Sequence, residues 1–208
     1  ALNVMGSLDK WTWPIMAQAT GGKHFTKNRQ GQPYVDQNFD NYSVEYTYAD
    51  GTKLMHYGRT IEGCHNEFAS YIHGTKGFGT FSKNGHWPAP SALYSGLTPN
   101  PKNETWKFPA RETNPYQDEW EDLLDAIRND KPYNEAERGA LASQVCNMGR
   151  MAAHTGQRVM WDDALNADPL APEIEKLVGL GGDSAPVKAD ADGFYPTPQP
   201  GITKKREY

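Results

Sequence analysis

Apolar positions recur at helical spacing twice between Asn114 and Asn166. Trp120, Leu123, Leu124 and Ile127 fall at i, i+3, i+4 and i+7 and make one stripe. Asn114 offers an N-cap oxygen, Pro115 fits the first helical position and Gln117 completes a capping-box-like spacing. Asp118 and Glu119 sit where the helix dipole favours negative charge. The pattern predicts an amphipathic helix that packs on something. Pro132 interrupts it, and Asn134 with Glu137 repeats the capping signal. Leu141, Val145, Met148 and Ala152 then trace a second stripe that runs to Gly156, a left-handed cap.

Upstream, the period changes to two. Tyr42, Val44, Tyr46 and Tyr48 alternate with Ser43, Glu45 and Thr47, and Asp50-Gly51 favours a type I′ hairpin turn. A two-residue loop pairs Ala49 with Thr52, and hence Tyr46 with Met55, Val44 with Tyr57, Tyr42 with Arg59 and Glu45 with His56. Residues 8–18 read as a short helix and 18–25 as a strand, followed by the polar loop KNRQGQP. Strands are predicted over 66–73, 78–81 and 104–108, with a Pro-, Gly- and Ser-rich loop over 82–103. APEIEKLVGLGG reads as a last short helix, and 183–208 as an extended tail lying on a surface, too poor in apolar positions to form a core. Strands first and helices later, without a βαβ rhythm, give an α+β fold: a largely antiparallel open sheet with helices packed on one face. One domain over 1–182 plus the tail is the expected organisation, and an exposed sheet face predicts a homodimer or homotetramer through the side opposite the helices.

Composition excludes several classes. The formal charge of -5 arises from 21 basic and 26 acidic residues without a basic run beyond Lys204–Arg206, so nothing attracts nucleic acid. No apolar run approaches the ~20 residues of a membrane span, so the chain reads as soluble, with its compartment, bacterial cytoplasm or periplasm, left open. Cys64 and Cys146 read as buried thiols, with no disulfide framework and no zinc site.

The chemistry signalled by single residues is sparse. No G-x-G-x-x-G turn joins a strand to a helix; GLGGD at 179–183 follows a helix and reads as its stop. The chain should therefore hold no NAD(P) by itself. His56 opposite Glu45 reads as a cross-strand ion pair rather than a catalytic dyad. His65, His73, His86 and His154 show no metal-ligand spacing and read as surface or satisfied core positions. Arg59, on an otherwise aromatic face, needs either a buried carboxylate or an anionic or polyhydroxylated ligand. Arg150 reads as structural, pairing within the helix layer. Trp11, Trp13 and Trp87 are core aromatics or flat faces for sugar stacking. A cofactor-free hydrolase would need Asp36, Asp40 or Glu62 paired in a pocket.

NPY, AIR, KP, NEAE, MGRM, TGQ and the W…AL ending occur in order between Asn114 and Leu165, after LDKWTW at 8–13, DNYSVEYTYADG at 40–51, GTKG at 74–77 and before PGITK at 200–204. In this order and spacing the chain resembles the C-terminal domain of the Gfo/Idh/MocA oxidoreductases over nearly its whole length. The resemblance implies an open sheet that carries a substrate wall, with NAD(P) and a catalytic lysine on a preceding Rossmann domain. The implied parent reaction is hydride exchange with a carbohydrate or cyclitol hydroxyl. Asp9, Lys10, Asp40, Asn41 and Arg59 would then contact the sugar or cyclitol. Where the family places histidine, this chain has Gly6, Asn41 and Trp120. The resemblance thus implies a substrate-binding and oligomerisation domain without turnover of its own, or a stand-alone carbohydrate-binding or scaffolding module derived from it.

Overall fold

The computed structural model describes residues 11–34, 38–85, 90–109, 114–167, 187–205 and 207. In chain order its elements are β1 (Met16–Gly22), β2 (Asn41–Thr47), β3 (Lys53–Arg59), β4 (Ser70–His73), β5 (Gly77–Phe81), β6 (Ala92–Ser95), β7 (Glu104–Lys107), α1 (Pro115–Arg128), α2 (Ala136–Thr155), β8 (Val159–Met160) and α3 (Trp161–Leu165). They pack as two compact units, Ala1–Glu62 with Glu135–Tyr208, and Gly63–Asn134. The α+β antiparallel character is as predicted, but the strands form two four-stranded sheets, ordered β3-β2-β1-β8 and β4-β5-β6-β7.

In the first unit α2 lies over β1 and β2. Its predicted stripe is the core: Val145, Met148 and Ala152 are buried against Ala17, Val44, Tyr46 and Val159. Gly156 ends the helix at φ 68°, as its position after the last apolar residue predicts. The expected Asn134 cap is displaced, because the N-cap is Glu135 and no side chain caps it. The expected helix over 8–18 is absent from the described residues 11–18, of which 16–18 belong to the strand β1. Ile15 N donates to Thr47 O and Met16 pairs with Thr47, so the ladder with β2 takes the segment into the sheet.

The hairpin forms one residue out of the predicted register. Thr47 pairs with Lys53, Tyr46 with Leu54, Glu45 with Met55, Val44 with His56, Tyr42 with Gly58 and Asn41 with Arg59. Tyr48 N donates to Thr52 O and Gly51 N to Tyr48 O, closing a three-residue loop in which Gly51 alone has positive φ. A type I′ turn needs two such residues, and Asp50 instead spends its carboxylate on Thr52 N, so the longer loop wins. Glu45 consequently faces Lys53 Nζ at 2.7 Å and Gln18 Nε2 at 3.2 Å, not His56.

The second unit is a meander whose loop prediction over 82–103 fails at β6. Ala92 and Leu93 pair with β5 on one side and β7 on the other. In α1, Asn114 Oδ1 accepts from Tyr116 N and Pro115 opens the helix as predicted, whereas Gln117 bonds Glu121 rather than the cap. The stripe is there but uncovered: Trp120 is 62% and Ile127 67% exposed. The predicted packing of this helix is therefore not made within the described residues. Both cysteines are exposed and free, contrary to the buried thiols expected. No group of metal-ligating residues and no membrane-length apolar helix occur among the described residues. The predicted helix in APEIEKLVGLGG, the GLGGD stop, Asp36, His86 and Trp87 lie outside the described residues. From 187 to 205 the chain has turns and no helix or strand.

Candidate functional site

Because α2 covers β1 and β2, the inner face of the edge strand β3 is left partly open. A cavity of about 570 Å³ lies there, walled by Tyr42, Val44 and Tyr46 of β2, Leu54, His56 and Gly58 of β3, and Cys146, Gly149 and Arg150 of α2. Asn38–Asp40 and Arg59–Thr60 complete the lining. Its walls are mostly apolar and aromatic, with a few polar groups converging on them, the usual make-up of a small-molecule site.

Asp40 is the best-prepared polar group. Its Oδ2 accepts from His24 N at 2.6 Å and Phe25 N at 3.2 Å, and its Oδ1 from Asn41 Nδ2 at 2.9 Å. Burial alone would raise its pKa, but the Asn41 amide, the two backbone donors and the nearby His24 outweigh it and hold the carboxyl below its ordinary value. Asp40 is thus fixed in place and ionised. Its folded pKa lies below the unfolded one, so its stabilising contribution is complete above about pH 3.8 and fades as pH falls through the folded value. Asp40→Asn should remove that increment. Acid unfolding curves of variant and wild type should converge towards pH 2, and a constant gap between pH 7 and pH 2 would contradict the assignment.

Of the five residues predicted to contact ligand, Asp40 and Arg59 line the cavity. Asn41 is not in the lining; its amide bonds Asp40, Gly22 O and the His24 ring, so it orients Asp40. Arg59 pairs with Asn41 in the ladder rather than with Tyr42, so it does not share the aromatic face predicted around it. Asp9 and Lys10 lie outside the described residues.

Sequence reading missed a buried polar chain beside the cavity. Phe39 N donates to Tyr42 Oη at 2.9 Å, Tyr42 Oη meets His154 Nε2 at 2.8 Å, and His154 Nδ1 meets Glu207 Oε2 at 2.7 Å. Arg150 Nη1 lies 3.2 Å from the same oxygen, so Arg150 pairs with the C-terminal segment and not within the helix layer. With Nδ1–H donating to the carboxylate and Nε2 accepting from the phenol, each of these contacts joins one donor to one acceptor. Tyr46 lies further along the same β2 wall: burial first, then Cys146 and Tyr48, push its hydroxyl well up, so it stays a donor to Val145 O at 3.0 Å. Only the His154 reading, a satisfied core position, anticipates any of this chain; the partner fifty-three residues on carried no local signal.

The described residues do not suit a dinucleotide. None of the helices follows a glycine-rich turn after a strand: α3 starts directly after β8, and α2 follows a helix. No step of any reaction is therefore assigned through NAD(P) here.

No family model and no curated protein matches this chain. Solved structures do. A candidate oxidoreductase from Thermotoga maritima aligns over 72% of this chain and 41% of its own, with a TM-score of 0.51 and 18% identity. The aldose-aldose oxidoreductase of Caulobacter crescentus, solved in complex with glycerol, aligns over 72% and 42%, with a TM-score of 0.53 and 16% identity. The chain spans about two-fifths of the length of these proteins and shares its fold with that part of them.

Proposed function

Starting from a fold that two solved oxidoreductases share, we propose that this chain is the substrate-side domain of an NAD(P)-dependent oxidoreductase of the Gfo/Idh/MocA type, acting on a carbohydrate or cyclitol. The observation that carries the reading is the cavity between β2–β3 and α2, which an ionised, hydrogen-bonded Asp40 and Arg59 at the end of β3 both line. A carboxylate accepts from vicinal hydroxyls, an arginine donates to them, and Tyr42 and Tyr46 offer apolar ring surface to sugar C–H bonds. Nicotinamide supplies or takes hydride in such reactions, and on this reading it is held by a separate domain. The chain's own residues bind and orient the polyol.

Two measurements test this. Calorimetry should show weak binding of a neutral polyol such as myo-inositol, reduced about tenfold or more in Arg59→Met or Asp40→Asn, since hydrogen bonds to charged groups contribute about 1.5–3 kcal/mol. No polyol binding at all would refute the reading. With NADH and a panel of sugar ketones the chain alone should consume no cofactor, and consumption would refute the division of labour. A second reading, a carbohydrate-binding or scaffolding module without a catalytic partner, is favoured by the absence of histidine at positions 6, 41 and 120. An in-frame upstream stretch encoding a Rossmann domain separates the two.

A further inference from the structure

We propose that Glu207 sets the charge preference of the cavity, as the counter-charge that cancels Arg150 in its wall. The inference rests on the cavity being a ligand site, as proposed above. Glu207 reaches the interior from the C-terminal segment, which is held at the end of α2. Gly201 N donates to Thr155 O at 2.8 Å, and Pro200 lies against Gly156. Its side chain is 1% exposed, and a single oxygen, Oε2, takes both the His154 ring at 2.7 Å and Arg150 at 3.2 Å. Oε1 is buried with no hydrogen-bond partner. A carboxylate half-satisfied in this way is costly to bury and is tolerated only beside a cation. Arg150 is that cation, and it has two surroundings: its side chain is 29% exposed and forms part of the cavity wall, while one edge is bound to Glu207.

Glu207 itself does not line the cavity, so it acts through Arg150. With the pair intact, a molecule in the cavity meets a neutral ion pair at this point of the wall. Take the carboxylate's charge away and the same wall gains one positive charge, whatever the states of the other ionisable groups there: Asp40, His56, Arg59 and, behind the wall, His154. An electrically compensated wall suits an uncharged polyol and gives no advantage to its phosphorylated or carboxylated derivatives. Glu207 is thereby a specificity-determining residue placed at the far end of the chain from the strands that form the cavity.

Glu207→Gln tests it, because the amide oxygen can still accept from Arg150 and His154 while the charge is gone. Calorimetry with inorganic phosphate should show a gain of about tenfold over wild type at low salt, shrinking as sodium chloride is added, with myo-inositol affinity changed less than about twofold. A folded Glu207→Gln variant, checked by circular dichroism, that binds phosphate no better than wild type overturns the proposal. Should that variant lose its fold, Arg150→Gln carries the test with the opposite sign: glucosamine must gain on glucose, and equal binding of the two overturns it. If no form binds myo-inositol while Glu207→Gln gains phosphate, the polyol reading fails and the counter-charge assignment stands.

Discussion

Gly149→Ala should destabilise the first unit by about 2–3 kcal/mol, although the same change on an exposed helix would stabilise it. Alanine gains about 1 kcal/mol over glycine in a helix interior. Here a methyl at residue 149 would land on Tyr46 Oη, with Tyr46 Cζ at 3.1 Å and Val44 Cγ1 at 3.3 Å. Tyr46 is buried on β2 and tied through its hydroxyl to Val145 O at 3.0 Å, so moving it out of the way breaks that bond. Overpacking of a filled core costs about 1–3 kcal/mol, and displacing the hydroxyl forfeits about 1 kcal/mol more, so sterics outweigh propensity. Urea unfolding measures the difference, and a variant as stable as wild type would mean the contact between α2 and β2 is looser than described. Tyr46→Phe removes the first atom the methyl meets. The double variant should accordingly recover at least about 1 kcal/mol relative to the sum of the singles.

His154→Ala should cost about 3–4 kcal/mol. The ring is fully buried, and its loss leaves a void beside Phe39, whose ring stands edge-on to it at 4.7 Å. More important is what it strands. Tyr42 Oη loses its partner on Nε2, and the Glu207 carboxylate, already lacking a partner on Oε1, keeps only Arg150. Removing one member of a buried charged network is costly because the other stays buried, about 3–5 kcal/mol in comparable cases. Equilibrium unfolding with near-ultraviolet dichroism of the tyrosines reads both stability and the local environment. A loss under about 1 kcal/mol would show that the carboxylate escapes to water on losing the ring, and that the C-terminal segment is only loosely held.

What the sequence disclosed, and what it hid, follows from the range of the forces involved. Both long helices, the N-cap at Asn114 and the cap at Gly156 were legible because caps and stripes are set within one or two turns. The alternation of β2 was legible for the same reason, and its buried face of Val44, Tyr46 and Tyr48 is the one expected. The register of β3 was not, since it turns on whether the Asp50 carboxylate closes a three-residue loop onto Thr52, a choice the Asp-Gly dipeptide leaves open. That single step moved Arg59 from Tyr42 to Asn41 and separated His56 from Glu45. β6 was hidden by the prolines and glycines that flank it, and residues 11–18 by a helix-like composition that pairing with β2 overrode. In the site, Asp40 was found by resemblance and its supporting donors by geometry. The Tyr42–His154–Glu207 chain joins residues 112 and 53 positions apart, and no local pattern reports such a contact.

The uncovered stripe of α1 has a practical side. Tyr116, Trp120, Leu124 and Ile127 give the folded chain a continuous greasy ridge, and fluorescent probes of exposed apolar surface respond to such ridges whether or not a protein has melted. A dye-based melting scan of this protein should therefore start bright and rise little, so that its heat stability is better followed by calorimetry or by the dichroism of the helices themselves.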